Sequence, residues 1–201
     1  MEQSAPSSTL KTATAIDKEK RILESALFLF AQRGFHGTAV PEVAKHAEVG
    51  AGTIYRYFKN KEDLVNAVFR NSKNKLKQYL LKDIQVNAEL RDVFHQFWQQ
   101  LVSFAWDNPT DFHFLELQDH APYLDEESKQ LELEVLAPIW MFCVQGRKQG
   151  VVRDMPEEAL IAMIWGAFVG LMKAQTLGYF SISEETLKQA EDTCWNMLTA
   201  T

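Results

Sequence analysis

The chain has 201 residues, 46% hydrophobic and 24% charged, with a net charge of −6, a composition ordinary for a globular protein with a real core. Its two cysteines, Cys143 and Cys194, both sit in apolar stretches, which excludes a disulfide framework and a zinc-type spacing and points to a reducing compartment. The longest uncharged apolar run, Ala159 to Met172, is 14 residues, too short for a comfortable bilayer span, and the opening MEQSAPSSTLKTATAIDKEK lacks an apolar signal core, so a cytoplasmic protein without a membrane partner is expected.

Residues 1–16 are rich in Ser, Thr, Ala and Pro without periodicity and read as a disordered tail. A helix is expected from about Asp17, carrying Ile22, Ala26 and Phe30 at helical spacing and closed by Gly34. Thr38 offers an N-cap for a short helix through about His46, whose inner side is Val40, Val43 and Ala44. AEVG (47–50) makes a turn into a second short helix over 51–57, and Asn60 caps a longer helix from Lys61. Downstream, helices are expected near 61–81, 89–106, 110–119, 125–149, 156–178 and 184–198, punctuated by Pro109, Pro122, Gly150, Pro156 and Gly178. With about nine helices and no strand pattern, the fold class is all-α.

The 39–46 and 51–57 segments, joined by a tight turn, form a helix-turn-helix. Placed at 100° intervals, Ile54 and Phe58 point inward. Gly52, Thr53 and Arg56 point outward, and Tyr55 and Tyr57 lie on the flanks. Small residues at the N-terminal end would let such a helix approach base edges in a major groove, while hydroxyls and amides donate to phosphates. Tyr57 fits equally well as a ring covering the small domain's core. Charge agrees with an anionic partner. Residues 1–80 hold 13 Lys+Arg against 8 Asp+Glu, a balance of +5, and the remainder stands at −11.

The whole stretch RILESALFLFAQRGFHGTAVPEVAKHAEVGAGTIYRYFKNKEDLVNAVF resembles the N-terminal DNA-binding domain of the TetR (tetracycline-repressor-like) family of bacterial transcriptional regulators. The resemblance implies a three-helix DNA-binding domain over 17–63 and a helical effector-binding and dimerisation domain over 64–201. It implies a homodimer on a palindromic double-stranded operator, usually a repressor and sometimes an activator, released by a small molecule, with no cofactor. Carried over residue by residue, Thr38 would touch phosphate. Ala51, Gly52, Thr53, Tyr55 and Arg56 would form the recognition surface, and Tyr57 and Lys61 would hold the backbone. Two positions depart from the family pattern. Pro41 replaces a residue that is often polar or basic, and Glu48 replaces a frequent turn glycine, at a cost of about 1 kcal/mol if that position needs positive φ.

The acidic remainder is rich in aromatics. Trp98, Phe112, His113, Trp140 and Trp165 are the nominated lining of a cavity for an apolar or aromatic effector. His113, Glu116 and His120 share one face if a single helix carries all three, which leaves open an enzyme or an interaction module with a metal there; no metal site is assigned. The helix at 156–178 is apolar on nearly every side. Gly166 and Gly170 on it, with Leu187, Cys194 and Leu198 on the next helix, resemble the family's four-helix dimer interface.

Overall fold

In the computed structural model, which describes residues 7–85, 87–117 and 120–199, helix α1 (Ser7–Arg33) starts well before the expected Asp17. The reading of a tail over 1–16 is therefore corrected from Ser7 onward, while residues 1–6 lie outside the described residues. The early segment lacks an apolar stripe, yet nothing between Pro6 and Gly34 breaks a helix. Ion pairs one turn apart, Arg21–Asp17 at 3.3 Å and Lys20–Glu24 at 3.8 Å, support the helix further on, over residues 17–24. Gly34 ends α1 at φ 66°, with its N–H donating to Phe30 O at 2.9 Å.

Helix α2 (Val40–His46) is capped by Ala39 rather than Thr38. Ala39 has no side chain to accept from the first turn, but Glu42 reaches back: its carboxylate takes the Ala39 N–H at 3.1 Å and pairs with Arg33 at 3.1 Å. Pro41 falls in the first turn, where its lack of an N–H costs nothing. Helix α3 (Ala51–Ile54) is short, and α4 (Lys61–Leu80) follows, with Asn60 accepting the Asp63 N–H at 2.7 Å as its cap. Then come α5 (Leu90–Asp107), α6 (Pro109–Leu117), a 3-10 turn at Ala121–Tyr123, α7 (Glu126–Lys148), α8 (Glu157–Thr176) and α9 (Glu184–Leu198). Among the described residues there is no strand, only an isolated bridge between Val152 and Thr199.

The chain divides into two compact units, residues 1–74 with 108–129, and 75–107 with 130–201. This differs from a cut at 63/64, because α6 and most of α4 group with the helix-turn-helix. In the first unit Ile22, Ala26, Phe30, Val43, Ile54, Leu64 and Phe114 are all buried. The Phe30 and Phe114 rings lie 6.4 Å apart, joining α1 to α6. Polar ties add to this core. Ser72 Oγ donates to Asp111 Oδ1 at 2.7 Å, and Asn66 donates to Tyr123 O at 2.7 Å while accepting the Asp125 N–H at 2.9 Å. The second unit closes around Trp98, Phe104, Leu160 and Phe168, with Trp98 edge-on to Phe168 at 5.4 Å. There Glu191 of α9, 2% exposed, is gripped by Arg91 and by His95 Nδ1 at 3.0 Å, both from α5.

Candidate nucleic-acid interface and ligand cavity

Between α2 and α3 the chain reverses within Ala47–Gly50. Ala47 N–H donates to Val43 O and Val49 N–H to Ala44 O, both at 2.9 Å, and Glu48 sits at φ 55°. The left-handed conformation that a glycine would take without strain is therefore carried by a glutamate. The α-helical bonding of α3 ends at Ile54, three residues short of the expected 57. The chain continues through tighter bonds from Arg56 N–H to Thr53 O (3.1 Å) and Tyr57 N–H to Ile54 O (2.9 Å) before turning into α4. The facing survives this shortening. Ile54 and Phe58 are buried, as are Val43 and Ala47, while Ala51, Gly52, Tyr55 and Arg56 are exposed. A side chain added at Gly52 would meet nothing within 4 Å, so this end of α3 can come close to another surface.

The three expected backbone-binding residues, Thr38, Tyr57 and Lys61, and Thr53 of the expected recognition surface are less exposed than the rest. Thr38 is buried at 2% exposure, its hydroxyl aimed at Gly34 O (3.0 Å) and Leu29 O (3.2 Å). Its expected role as cap and side-chain phosphate donor is corrected: it locks the end of α1 to the start of α2. Thr53 and Tyr57 are half-buried. Lys61 is also half-buried, its ammonium 4.2 Å from the centre of the Phe35 ring, and burial lowers its pKa against the opposing pull of Glu62. Phe35 in turn stacks on Tyr123 at 3.9 Å, so Lys61 stands on an ordered aromatic base.

In the other unit a partly open space of about 50 Å³ is lined by Phe94, Phe97, Trp98 and Leu101 of α5, Ile139, Phe142 and Cys143 of α7, Leu160, Ile161 and Ile164 of α8, and Leu198 of α9. No lining side chain carries a charge. Burial pushes the Cys143 thiol up to about 11, with Glu157 adding to and Arg147 opposing the shift, so the thiol stays neutral at physiological pH.

Residues 22–68 match the family model described as bacterial regulatory proteins, tetR family, and residues 69–200 match the tetracyclin repressor-like C-terminal domain. The chain belongs to the TetR family. An uncharacterized HTH-type transcriptional regulator from Haemophilus influenzae is 25% identical over 183 residues, 90% of this chain and 96% of its own. A TetR family transcription regulator from Marinobacter aquaeolei superposes with a TM-score of 0.84 at 22% identity, over 94% of this chain and 100% of that one. FadR from Bacillus subtilis, solved in complex with stearoyl-CoA, does so at 0.68 and 20% identity, over 90% and 97%. This TetR-family protein is thus a DNA-binding transcriptional regulator built on a helix-turn-helix.

Within the regulator, the nominated ligand residues scatter. Trp98 lines the cavity. Phe112 is buried in the first unit, and His113 borders a separate open groove there with Phe28, Gln32 and Pro109. Trp140 lies on the exposed side of α7, and Trp165 is half-buried beside Phe168. These four do not line the cavity, because a nomination by residue type cannot tell which helices meet. Their places are taken by aliphatic and phenyl groups on the i, i+3, i+4, i+7 stripe of α5 and on α7 and α8. His120 falls beyond the end of α6, its Nε2 against Phe114 O and its ring 4.1 Å from that of Phe114, so the shared face with His113 does not form. Among the described residues no group of His, Cys, Asp or Glu has metal-binding geometry.

The dimer-interface nominations split as well. Gly166 and Gly170 open onto empty space. Leu187, Cys194 and Leu198 are buried inside the protomer, and their expected contact with a second copy is corrected: α9 spends its apolar face on its own core.

Proposed function

We propose that this TetR-family regulator is a repressor that binds a two-fold operator as a homodimer and leaves DNA when a small apolar molecule fills the α5–α9 cavity. The observation that carries the DNA-binding side is the exposed run Ala51, Gly52, Tyr55 and Arg56, held outward by buried Ile54 and Phe58. Two such surfaces about 34–36 Å apart would meet successive major grooves. The basic balance of residues 1–80 would draw them toward a polyanion, and the protein would act in the cytoplasm as a regulator rather than a catalyst.

Helix α8 supports the dimer. It is long and apolar enough, by length and composition, to cross a membrane, yet only 17% of that window is buried. In a DNA-binding protein such a face calls for another copy. The complex of FadR with stearoyl-CoA supports a small-molecule effector. Helix α4 spans both units, with residues 61–74 in one and 75–80 in the other, and would carry the signal. A ligand that changes operator affinity 100-fold needs a coupling of about 2.7 kcal/mol between its two binding states.

The test begins with duplexes selected from a random pool. Tyr55→Ala and Arg56→Ala should each weaken binding by roughly tenfold or more. Lys61→Ala should flatten the log–log salt dependence by about 0.9 for each phosphate it ceases to neutralise. A wild-type protein that prefers no duplex at low salt would refute the reading.

A further inference from the structure

The ammonium of Lys61 is held by a circuit of contacts that begins and ends on α4, all of it within the first unit. It lies 4.2 Å from the ring centre of Phe35, a residue of the loop between α1 and α2. Phe35 is itself stacked on Tyr123 at 3.9 Å and 21°, and Tyr123 belongs to the 3-10 turn between α6 and α7. The Tyr123 hydroxyl shares a hydrogen bond of 2.6 Å with His36 Nε2, which ties the same loop to the same ring. From Tyr123 the circuit returns to α4. Asn66, 3% exposed, donates to Tyr123 O at 2.7 Å and accepts the Asp125 N–H at 2.9 Å. The backbone on both sides of Leu124 is thereby fastened to the helix that carries Lys61.

A lysine side chain has four flexible carbons and many rotamers, and fixing it against a phosphate normally costs that freedom. Here the ammonium has its place before any DNA arrives. The ring beneath it depends on a neighbour in turn. Phe35 is half-buried in a stretch outside any helix. Of the rings around it, Tyr123 at 3.9 Å stands closer than His36 at 5.5 Å or Phe30 at 6.3 Å. Tyr123 is the ring that sets the attitude of Phe35.

On the reading of Lys61 as a phosphate contact, we propose that Tyr123 is a positioning residue for DNA binding. It acts through Phe35, whose ring it orients, on the Lys61 ammonium. A role in folding alone has a different signature. Loss of folded protein lowers the active concentration and weakens binding by one factor at every salt concentration, leaving the slope of log Kd against log salt unchanged. A misplaced ammonium changes the slope itself.

The experiment uses the full-length protein and a duplex selected from a random pool, with Kd measured by fluorescence anisotropy over about 50–200 mM salt. Tyr123→Leu keeps an apolar side chain and removes the ring. It should flatten the slope as Lys61→Ala does, by about 0.9 for one phosphate, and the double variant should be no flatter than either alone. Tyr123→Phe keeps the ring and should retain the wild-type slope. If Tyr123→Leu does not fold, Phe35→Leu breaks the same circuit at its middle and is held to the same expectations.

The proposal is overturned if Lys61→Ala flattens the slope while Tyr123→Leu leaves it at the wild-type value. It is overturned equally if the two effects add in the double variant, or if Tyr123→Phe flattens the slope as much as Tyr123→Leu. A wild-type protein that binds no duplex, or a Lys61→Ala protein with the wild-type slope, removes the phosphate contact itself, and the positioning role falls with it.

Discussion

Glu48 holds a backbone conformation, φ 55°, that an L side chain enters at a cost of about 1 kcal/mol or more. The cost is borne in the four-residue turn that sets the angle between α2 and α3, so it can be relieved without touching the exposed recognition residues. Glu48→Gly is expected to raise stability by about 0.5–1 kcal/mol in urea denaturation. Glu48→Val, β-branched at the same φ, should lower it by a similar amount. Equal midpoints for the two variants would mean that the turn is not under strain. Asp125 illustrates electrostatics at the same scale. Burial would raise its pKa, but the Ser128 N–H and hydroxyl and the Arg70 guanidinium at 2.8 Å outweigh it and hold the carboxyl below its usual range. A depressed folded value means stability that is present above the ordinary carboxylate pKa and lost as pH falls through the folded one. Asp125→Ala removes this cap of α7 and should cost about 1 kcal/mol at pH 7. The gap to wild type should narrow when the same measurement is made below about pH 4. A gap independent of pH would exclude the charge as its source.

Along whole elements, most boundaries were legible because local chemistry sets them. Gly34, Asn60 and the Pro and Gly breaks place every helix from α4 onward within about two residues of the expected span. α1 extends further back because a helix needs only the absence of breakers, not an apolar stripe. α3 ends sooner because the chain must turn into the Asn60 cap. The outward face of α3 was readable from periodicity alone. The burial of Thr38 was not, since its acceptors lie four and nine residues back. The cavity was least readable, because its lining depends on how four helices meet. The same holds for α9, where periodicity reveals an apolar face but not whether its own protomer or a partner covers it. The protomer does, and Glu191 fastens the contact: its buried carboxylate joins Arg91 and His95 of α5. Glu191→Ala should destabilise the second unit by about 2–3 kcal/mol, toward the low end because Arg91 is partly solvated. Tryptophan fluorescence during urea unfolding would follow this, since all five tryptophans lie in that unit. A change below about 0.5 kcal/mol would reduce the cluster to surface decoration.

For the molecule as a whole, the proposed dimer ties α8 to DNA affinity. Met163 is 43% exposed, Gly166 and Gly170 face open space, and Leu177, Tyr179 and Phe180, just past the end of the helix, are exposed too. Only 17% of the apolar window of α8 is buried, and monomers rarely leave so apolar a helix in water. Met163→Glu puts a carboxylate in the middle of that face without disturbing the buried side of α8, formed by Leu160, Phe168 and Met172. Circular dichroism should therefore be unchanged. Light scattering should register a monomer, because the charge would be desolvated without a partner on each copy. The operator consequence is quantitative. Tethering makes the second half-site contact intramolecular, a gain of roughly 10²–10⁴ over one half-site. Met163→Glu should weaken binding by about that factor on the two-half-site duplex while binding a single half-site as well as wild type. If the variant stays dimeric, the partner does not sit on α8. If it becomes monomeric and keeps full operator affinity, the protein does not read two half-sites together.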